Sequence, residues 1–143
     1  MFNRLDNLQG KVAVITGGKG QVGFATAQRL ASAGARIVLI NRTAPGPEIL
    51  ASLPNQELNH LSIEADITRS DTLVAAAEQV KNSCGRCDIL VNSAGITSSV
   101  PPANLDQLTD EMFDEIVTVN LRGVFATIRS FAPLLKASGD GLI

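Results

Sequence analysis

The chain has 143 residues, of which 45% are hydrophobic and 18% are charged, and its formal net charge is −2. These values indicate one globular domain with a buried core and exclude a disordered or collagen-like chain. The slight negative charge offers no basic surface for nucleic acid, and no apolar run approaches the roughly 20 residues that span a bilayer. The first ten residues lack the apolar stretch of a secretion signal. We therefore expect a cytoplasmic protein that binds neither nucleic acid nor membranes.

Apolar runs and helix-forming stretches alternate along the chain. The predicted elements of the first half are a strand at 12–16, a glycine-rich turn, a helix at 21–33 that ends at Gly34, a strand at 36–40 and a short helix after Pro47. Those of the second half are a strand at 61–65, a helix at 70–83 with Ser70 as its cap and Gly85 after its end, a strand at 88–91 and a long helix from about 109 to 138. Gly123 and Pro133 are expected to make the long helix irregular.

Strands and helices that alternate with short connections form right-handed crossovers and a parallel sheet. The pattern therefore predicts a doubly wound α/β domain, the Rossmann fold, with the strand order 3-2-1-4. Leu142 and Ile143 resemble the start of a fifth strand. We expect residues 1–143 to be one domain, truncated at strand five and incomplete on its C-terminal side, with the strand at 88–91 as an exposed apolar edge.

The turn after the first strand is rich in glycine and reads Thr16-Gly17-Gly18-Lys19-Gly20-Gln21-Val22-Gly23. Its G-x-G-x-x-G pattern permits a tight turn, close approach of the backbone to a pyrophosphate and close packing of the helix on the strand. The free N–H groups at the start of the following helix attract the anion. Because the pattern stands between a strand and a helix, it predicts a dinucleotide-binding domain. No Gly-Lys-Ser/Thr follows, which disfavours a phosphate loop of the ATPase type.

Four segments resemble the short-chain dehydrogenase/reductase family, in order and at compatible spacings. They are residues 10–18, Asp66-Ile67-Thr68, Asn92-Ser93-Ala94-Gly95, and residues 119–125 around Asn120. The first resembles the first strand and turn of the family, the second its adenine-contacting segment, the third its N-N-A-G motif and the fourth the helix that carries its catalytic Asn. The resemblance covers the whole chain and identifies it as the N-terminal portion of such a protein.

Gln21 departs from the pattern, since the shorter members of the family usually have glycine there. The resulting T-G-x-x-G-x-x-G spacing looks more like the longer, sugar-nucleotide-modifying branch of the family. The motifs around Asn92 and Asn120 favour the shorter branch, and we assign the chain to that branch on these two motifs.

The end of the second strand indicates which dinucleotide is preferred. NAD-selective sites place an acidic residue there, which binds the ribose 2′-OH and repels a 2′-phosphate. This strand ends in Asn41 and Arg42, and an arginine binds phosphate through charge-assisted hydrogen bonds of roughly 1.5–3 kcal/mol. We therefore predict NADP(H) over NAD(H), with Lys19 adding positive potential. The predicted cofactor-binding residues are Gly17, Lys19, Gln21, Val22, Asn41, Arg42, Asp66, Ile67, Asn92, Ala94 and Gly95.

The family resemblance implies hydride transfer between the nicotinamide and a small-molecule carbonyl or alcohol substrate. The family uses a Tyr as general acid/base, a Lys, a Ser and an Asn, and Asn120 is the predicted catalytic residue among them. The chain contains no tyrosine, and in the family the Ser, Tyr and Lys follow the point where this chain stops. We therefore expect the 143 residues to be inactive alone. The alternative is a nucleotide-binding or interaction module without catalysis.

The long helix contributes to a dimer interface in this family. The resemblance therefore implies that the full-length protein is a homo-oligomer.

Cys84 and Cys87 form a C-x-x-C pair near the fourth strand. His60 is the only histidine, so no second pair of Cys or His completes a zinc site, and we predict no bound metal. Cys84 also continues the apolar stripe of the preceding helix, which favours two small buried side chains. A redox pair is the other interpretation.

Overall fold

A computed structural model of the chain describes residues 7–101 and 103–143. Residues 1–6 and Pro102 lie outside the described residues. The expectation that the first ten residues contain no secretion signal falls partly on residues 1–6. The strands are β1 (Val12–Thr16), β2 (Arg36–Asn41), β3 (Leu61–Glu64) and β4 (Ile89–Asn92). The helices are α1 (Gln21–Ser32), α2 (Pro47–Ala51), α3 (Ser70–Cys84), α4 (Asp110–Val117) and α5 (Val124–Ala137), with a π-helical segment at Thr118–Gly123 and short 3-10 turns at Gln56–Leu58 and Leu105–Gln107.

The four strands form a parallel sheet in the order β3-β2-β1-β4, which confirms the predicted topology. Thr16 at the end of β1 is level with Ile40 of β2 and with Asn92 of β4. Asn41 at the end of β2 is level with Glu64 of β3. All four strands therefore end at the same edge of the sheet, where ligands of doubly wound folds bind.

Helices cover the sheet on both faces, so β1 is buried along its whole length. Val14 shares a core cluster with Val80 of α3 and Phe131 of α5. Ile15, the next residue of β1, points to the other face and shares a cluster with Ala27 of α1. Alternate side chains of one strand thus serve two cores, which explains the continuous apolar run in the sequence.

The outer edge of β4 is partly covered by the end of the chain. Leu142 forms a parallel bridge with Ile89. Its N–H donates to the carbonyl oxygen of Asp88 and its own carbonyl oxygen accepts from Leu90, both at 2.9 Å. The predicted start of a fifth strand is therefore present at Leu142, and the expectation of a fully exposed β4 edge is wrong for Ile89 and Leu90.

The ends of α3 differ in part from the prediction. Arg69, not Ser70, is the N-cap, and its side chain makes no capping hydrogen bond. The hydroxyl of Thr72 holds this turn instead, because it accepts from the N–H of Asp66 at 3.1 Å and is within 2.8 Å of the Asp66 carbonyl oxygen. Gly85 follows the helix with φ +74°, as predicted from its position.

The long helix is interrupted at the predicted place. Thr109 caps it by accepting a hydrogen bond of 3.3 Å from the N–H of Met112. Gly123 ends the π-helical segment between α4 and α5, and Pro133 lies inside α5. In the part of the chain that the structure describes, no helix is both long and apolar enough to cross a membrane.

Candidate dinucleotide site

The carboxyl ends of the strands open into a cavity of about 520 Å³. The predicted cofactor-binding residues that line it are Gly17, Asn41, Arg42, Asp66, Ile67, Ala94 and Gly95. The other lining residues are Gly20, Ile40, Ala65, Thr68, Ser93, Ile96, Glu115, Thr118 and Val119. The cavity therefore combines the glycine turn, the segments after β2, β3 and β4, and one face of α4 with the π-helical segment.

The glycine turn is compact because backbone atoms occupy the space of missing side chains. Gly17 has φ +67°, and a Cβ on it would lie 2.6 Å from the backbone nitrogen of Ala94. A Cβ on Gly23 would collide with the carbonyl oxygen of Gly17. The N–H of Gly20 donates to that same carbonyl oxygen at 2.9 Å. Glycine at these positions thus lets α1 begin directly beside the ends of β1 and β4.

The N-terminus of α1 is open to an anion. Gly20 is its N-cap and supplies no side chain to bond the first N–H groups, and the first turn has no acidic residue. Gly20 also lines the cavity. Unpaired N–H groups and the positive end of the helix dipole favour a phosphate at this position. The chemistry of this end of the cavity therefore fits a pyrophosphate.

Asn41 connects β2 to the glycine turn. Its Oδ1 accepts a hydrogen bond of 3.0 Å from the backbone N–H of Lys19. Its Nδ2 is buried and has no hydrogen-bond partner among the described residues. A buried donor without a partner costs free energy of about 1–3 kcal/mol, so a ligand acceptor beside Asn41 would stabilise this arrangement. Lys19 itself is exposed, and its side chain is not part of the cavity lining.

Asp66 presents an ionised carboxylate at the cavity wall. The hydroxyl and the N–H of Thr68 both donate to its Oδ1, at 2.7 and 2.9 Å. These hydrogen bonds from Thr68 lower the pKa of Asp66, the positive charges of Arg42 and Arg69 lower it further, and partial burial opposes the shift. Asp66 is therefore a hydrogen-bond acceptor at neutral pH.

The loop after β4 is tied to β1 and lines the far side of the cavity. The hydroxyl of Thr16 accepts a hydrogen bond of 3.3 Å from the N–H of Ala94. Asn92, predicted as a cofactor-binding residue, lies at the end of β4 and does not line the cavity. Its Oδ1 is buried without a hydrogen-bond partner among the described residues, so Asn92 retains a free acceptor.

Asn120, the predicted catalytic residue, lies in the π-helical segment and faces the loop after β4. Its Oδ1 accepts from the N–H of Ile96 at 2.9 Å, and its Nδ2 donates to the carbonyl oxygen of Ile96 at 2.8 Å. Gly95 leaves room for this contact, because a Cβ on it would lie 3.2 Å from Oδ1 of Asn120. The carboxamide therefore holds the cavity wall in place and is not itself a lining group.

Gln21 and Val22 begin α1 and lie away from the main cavity. They line a separate shallow groove along α1, and Val22 is 74% exposed. Their side chains do not contribute to the cavity lining, whereas their backbone N–H groups belong to the open first turn of the helix. Their role in cofactor binding stays a prediction.

Three lining residues that the sequence analysis missed come from the long helix. Glu115, Thr118 and Val119 are spaced by three and four residues, so they share one helical face. This spacing is visible in the sequence. It does not reveal which face of the helix meets the ends of β3 and β4, because that depends on the docking of the helix.

The C-x-x-C pair lies away from this cavity. Cys87 is buried, and burial, the nearby charge of Asp88 and the neighbouring Cys84 raise the pKa of its thiol to about 12. Burial also raises the pKa of Cys84. Such thiols are poor nucleophiles, which supports the interpretation as buried side chains. Within residues 7–101 and 103–143, no group of three or more His, Cys, Asp or Glu is arranged to hold a metal ion.

Comparison with known proteins agrees with this geometry. The family model of short-chain dehydrogenases matches residues 11–143. D-threitol dehydrogenase of Mycolicibacterium smegmatis is 34% identical over 137 residues, which cover 95% of this chain and 52% of the relative. Levodione reductase of Leifsonia aquatica is 32% identical over 93% of this chain and 50% of the relative. The chain thus spans about half the length of the curated relatives it matches.

Solved structures also match most of this chain with about half of their own length. The 3-ketoacyl-(acyl-carrier-protein) reductase from Brucella melitensis, solved in complex with NADH, superposes with a TM-score of 0.81 and 37% identity. The alignment covers 94% of this chain and 55% of the reductase. The structure of gox2181 superposes with a TM-score of 0.86 and 28% identity over 99% of this chain. Parallel sheet, glycine turn, cavity and sequence match agree, and the chain belongs to the short-chain dehydrogenase family.

Proposed function

We propose that the chain is the cofactor-binding half of an oxidoreductase that transfers hydride between NADP(H) and a small carbonyl or alcohol substrate. The observation that carries this proposal is the cavity at the carboxyl ends of the strands. There an open helix N-terminus, an unpartnered amide donor on Asn41 and the cation of Arg42 occur together. All three favour an anionic, phosphate-bearing ligand.

Each part of a dinucleotide has a chemically suitable partner in this cavity. The glycine turn from Gly17 and the first N–H groups of α1 suit the pyrophosphate. The acceptor Asp66 and the apolar Ile67 suit the adenine, whose amino group is a donor. The loop with Ala94 and Gly95 suits the nicotinamide end, with Asn92 supporting it from the end of β4. The nicotinamide, when bound, supplies or accepts the hydride, and the chain binds and orients it.

The preference for NADP(H) follows from the charges beside the end of β2. Arg42 lines the cavity, and the preceding residue is the neutral Asn41, not an acid. A 2′-phosphate beside the end of β2 would therefore meet the guanidinium of Arg42 and the amide donor of Asn41, neither of which is acidic. A charge-assisted hydrogen bond of roughly 1.5–3 kcal/mol corresponds to about a 10- to 150-fold preference for the phosphorylated cofactor.

We further propose that these 143 residues bind the dinucleotide without turnover. Reduction of a carbonyl needs a proton donor near the reacting oxygen. The sequence contains no tyrosine, and the ionisable residues that line the cavity are Arg42, Asp66 and Glu115. The same observation favours the second candidate, a nucleotide-binding or interaction module without catalysis.

An activity comparison separates the two candidates. The intact protein and the 143-residue chain are each mixed with NADPH and a panel of simple ketones. Oxidation of NADPH is followed through the absorbance of its reduced nicotinamide. Turnover by the intact protein but not by the 143-residue chain supports the oxidoreductase hypothesis. If both proteins bind NADPH and neither turns it over, the result supports the module without catalysis. Steady turnover by the isolated 143-residue chain contradicts its proposed inactivity.

Cofactor binding tests the role of Arg42. Titration with NADPH and NADH is followed by calorimetry for the wild type, Arg42→Ala and the control Arg69→Ala. Arg69 is also an exposed arginine near Asp66, but it pairs with Asp71 at 2.7 Å and does not line the cavity. We expect Arg42→Ala to weaken NADPH binding about tenfold or more and NADH binding much less. An equal loss for both cofactors contradicts the proposed role.

We also propose that the full-length protein is a homo-oligomer that associates through the long helix. Supporting this proposal, Phe113, Leu121 and Phe125 are more than half exposed, at 56%, 68% and 59%. A row of exposed apolar side chains on one helix is typical of a surface covered by a partner. Light scattering on the intact protein measures the mass, and a monomer at high concentration contradicts the proposal.

A further inference from the structure

The π-helical segment Thr118–Gly123 is bonded to two walls of the cavity at once. Asn120 holds both backbone polar groups of Ile96, in the loop after β4. Two residues further on, a guanidinium N–H of Arg122 donates to the carbonyl oxygen of Thr68, in the loop after β3. Ile96 and Thr68 both line the cavity. The two loops are therefore linked through a stretch of three residues.

Packing between the segment and the loop after β3 is tight. Gly123 is buried, and a Cβ on it would lie 2.8 Å from Cδ1 of Ile67. Ile67 belongs to a small apolar cluster against which Ala94 and Val119 also pack. Because close-packed groups have little free space, a shift of the loop at Ile67 must move the segment as well.

We infer that Arg122 is a positioning residue that couples the cavity wall at Asp66–Thr68 to the wall at Gly95–Ile96. A ligand that orders the first wall fixes the carbonyl of Thr68, which Arg122 binds. Arg122 then holds the π-helical segment, and Asn120 in that segment holds Ile96. The inference rests on the proposed function, since the ligand is the proposed dinucleotide, whose adenine end meets Asp66 and whose nicotinamide end meets the loop after β4.

The free-energy basis of this coupling is a shared ordering cost. The Arg122 hydrogen bond lies at the protein surface, so it constrains the segment only in part. A dinucleotide that immobilises one wall removes part of the conformational entropy cost of ordering the other wall. The second wall then opens more rarely, and its backbone amides exchange more slowly. Short π-helical stretches often occur at functional sites, where they place a side chain that a regular helix would not.

Arg129 offers a matched control on the same helix. Its guanidinium donates to the hydroxyl of Ser70 at 3.1 Å and lies over the ring of Phe125 at 5.3 Å. Like Arg122, Arg129 is a positive side chain, and it bonds to a residue directly after the loop that follows β3. It lies in α5, outside the π-helical segment, so its loss should not reach Asn120.

The experiment measures hydrogen exchange at the Ile96 amide, whose N–H is bonded to Asn120. Exchange is followed by NMR in the intact protein, with and without saturating NADPH, for the wild type, Arg122→Gln, Arg122→Lys and Arg129→Gln. We expect NADPH to slow exchange at Ile96 in the wild type. Arg122→Gln should reduce this slowing about two- to tenfold, as expected for the loss of one hydrogen bond. Arg122→Lys should restore part of it, and Arg129→Gln should leave it unchanged.

The outcomes distinguish this inference from the proposed function. If the wild type binds neither NADPH nor NADH, the proposed function fails. If Arg122→Gln binds NADPH and Ile96 is slowed as in the wild type, the coupling is overturned while dinucleotide binding stands. An equal loss in Arg129→Gln also overturns it, because the effect then reflects charge alone. If Arg122→Gln does not fold, Arg122→Lys decides. A folded Arg122→Lys whose Ile96 amide responds to NADPH less than in the wild type supports the coupling, and an undiminished response overturns it.

Discussion

Gly17 and Ala94 meet where β1 and β4 end, and the gap between them has no room for a side chain. A Cβ on Gly17 would lie 2.6 Å from the backbone nitrogen of Ala94 and 2.7 Å from its Cα. Gly17 also has φ +67°, in the left-handed region that favours glycine. The contact therefore sets the distance between the glycine turn and the loop that lines the opposite side of the cavity.

Gly17→Ala should destabilise the fold by more than its backbone conformation alone explains. A left-handed φ costs a residue with a Cβ roughly 1–2 kcal/mol, and overpacking against a backbone adds about 1–3 kcal/mol. Gly85→Ala is the control, because Gly85 has φ +74° and a Cβ added there would have no atom of the described residues within 4 Å. Urea unfolding measures both variants, and equal losses of stability would show that the contact with Ala94 yields easily.

Asn41→Asp should reverse the cofactor preference while keeping the glycine turn in place. An aspartate still accepts the hydrogen bond that the backbone N–H of Lys19 donates to Oδ1 of Asn41 at 3.0 Å. It replaces the buried Nδ2 donor with a negative charge, which repels a 2′-phosphate and accepts from a ribose 2′-OH. We expect NADPH affinity to fall about tenfold or more and NADH affinity to rise.

Asn41→Ala serves as the control for this change, because it removes both the acceptor and the donor. Asn41→Ala should weaken the binding of NADPH and NADH to a similar extent, because the glycine turn loses the hydrogen bond between Lys19 and Asn41. Calorimetric titration measures all three proteins. A lower affinity of Asn41→Asp for NADPH and NADH alike would place the 2′-position away from Asn41.

Asp88→Asn should lower stability at neutral pH. The side chain of Asp88 is 2% exposed and accepts from the N–H of Val12 at 2.9 Å, from Lys11 at 3.3 Å and from Nε of Arg86 at 2.8 Å. Burial alone would raise the pKa of Asp88, but these hydrogen bonds outweigh it and lower the pKa below its usual value. Loss of a hydrogen-bonded charge costs about 1.5–3 kcal/mol, which urea unfolding at pH 7 resolves.

The same measurement has a defined pH dependence. Because the folded-state pKa of Asp88 is depressed, its stabilisation is present above the unfolded value of about 3.9 and is lost as pH falls through the folded pKa. The difference between wild type and Asp88→Asn should therefore shrink below about pH 4. Asp71→Asn, which removes an exposed carboxylate paired with Arg69, should leave the urea midpoint unchanged. A difference for Asp88→Asn that persists at low pH would contradict the ionic origin.

Cys87 should resist thiol reagents in the folded protein. Its pKa of about 12 leaves almost no thiolate at pH 8, and the sulfur is buried. Reaction with a chromogenic disulfide should be slow in the native state, somewhat faster for the half-buried Cys84, and complete for both after unfolding in urea. Cys84→Ser isolates the signal of Cys87. Rapid native reaction of Cys87 would support the redox interpretation of the C-x-x-C pair.

Much of this architecture is encoded in short stretches of sequence. The apolar run Val12–Thr16 is typical of a strand that is covered on both faces, as in a parallel sheet, so the strand and its burial could be predicted from the sequence. Gly85 after α3 likewise marks a helix end through its own backbone freedom. These features were predictable because each depends on the residue itself or on neighbours a few positions away.

The cap of α3 shows where local patterns mislead. Ser70 is a good capping residue by type, yet Thr72 organises the turn by bonding to Asp66. The hydroxyl of Ser70 instead accepts a hydrogen bond of 3.1 Å from Arg129. The path of the chain from β3 into the helix decides between Ser70 and Thr72, and that path is set by the docking of the helix on the sheet.

The parallel sheet, the glycine turn and the neutral end of β2 could be predicted from the sequence, because they depend on local periodicity and residue chemistry. Three other features could not be predicted: the hydrogen bonds of Asn120 to Ile96, the place of Glu115 in the cavity lining and the bridge of Leu142 to β4. These contacts join segments that are distant along the chain. Their geometry depends on how each helix packs against the sheet, which no short window of sequence specifies.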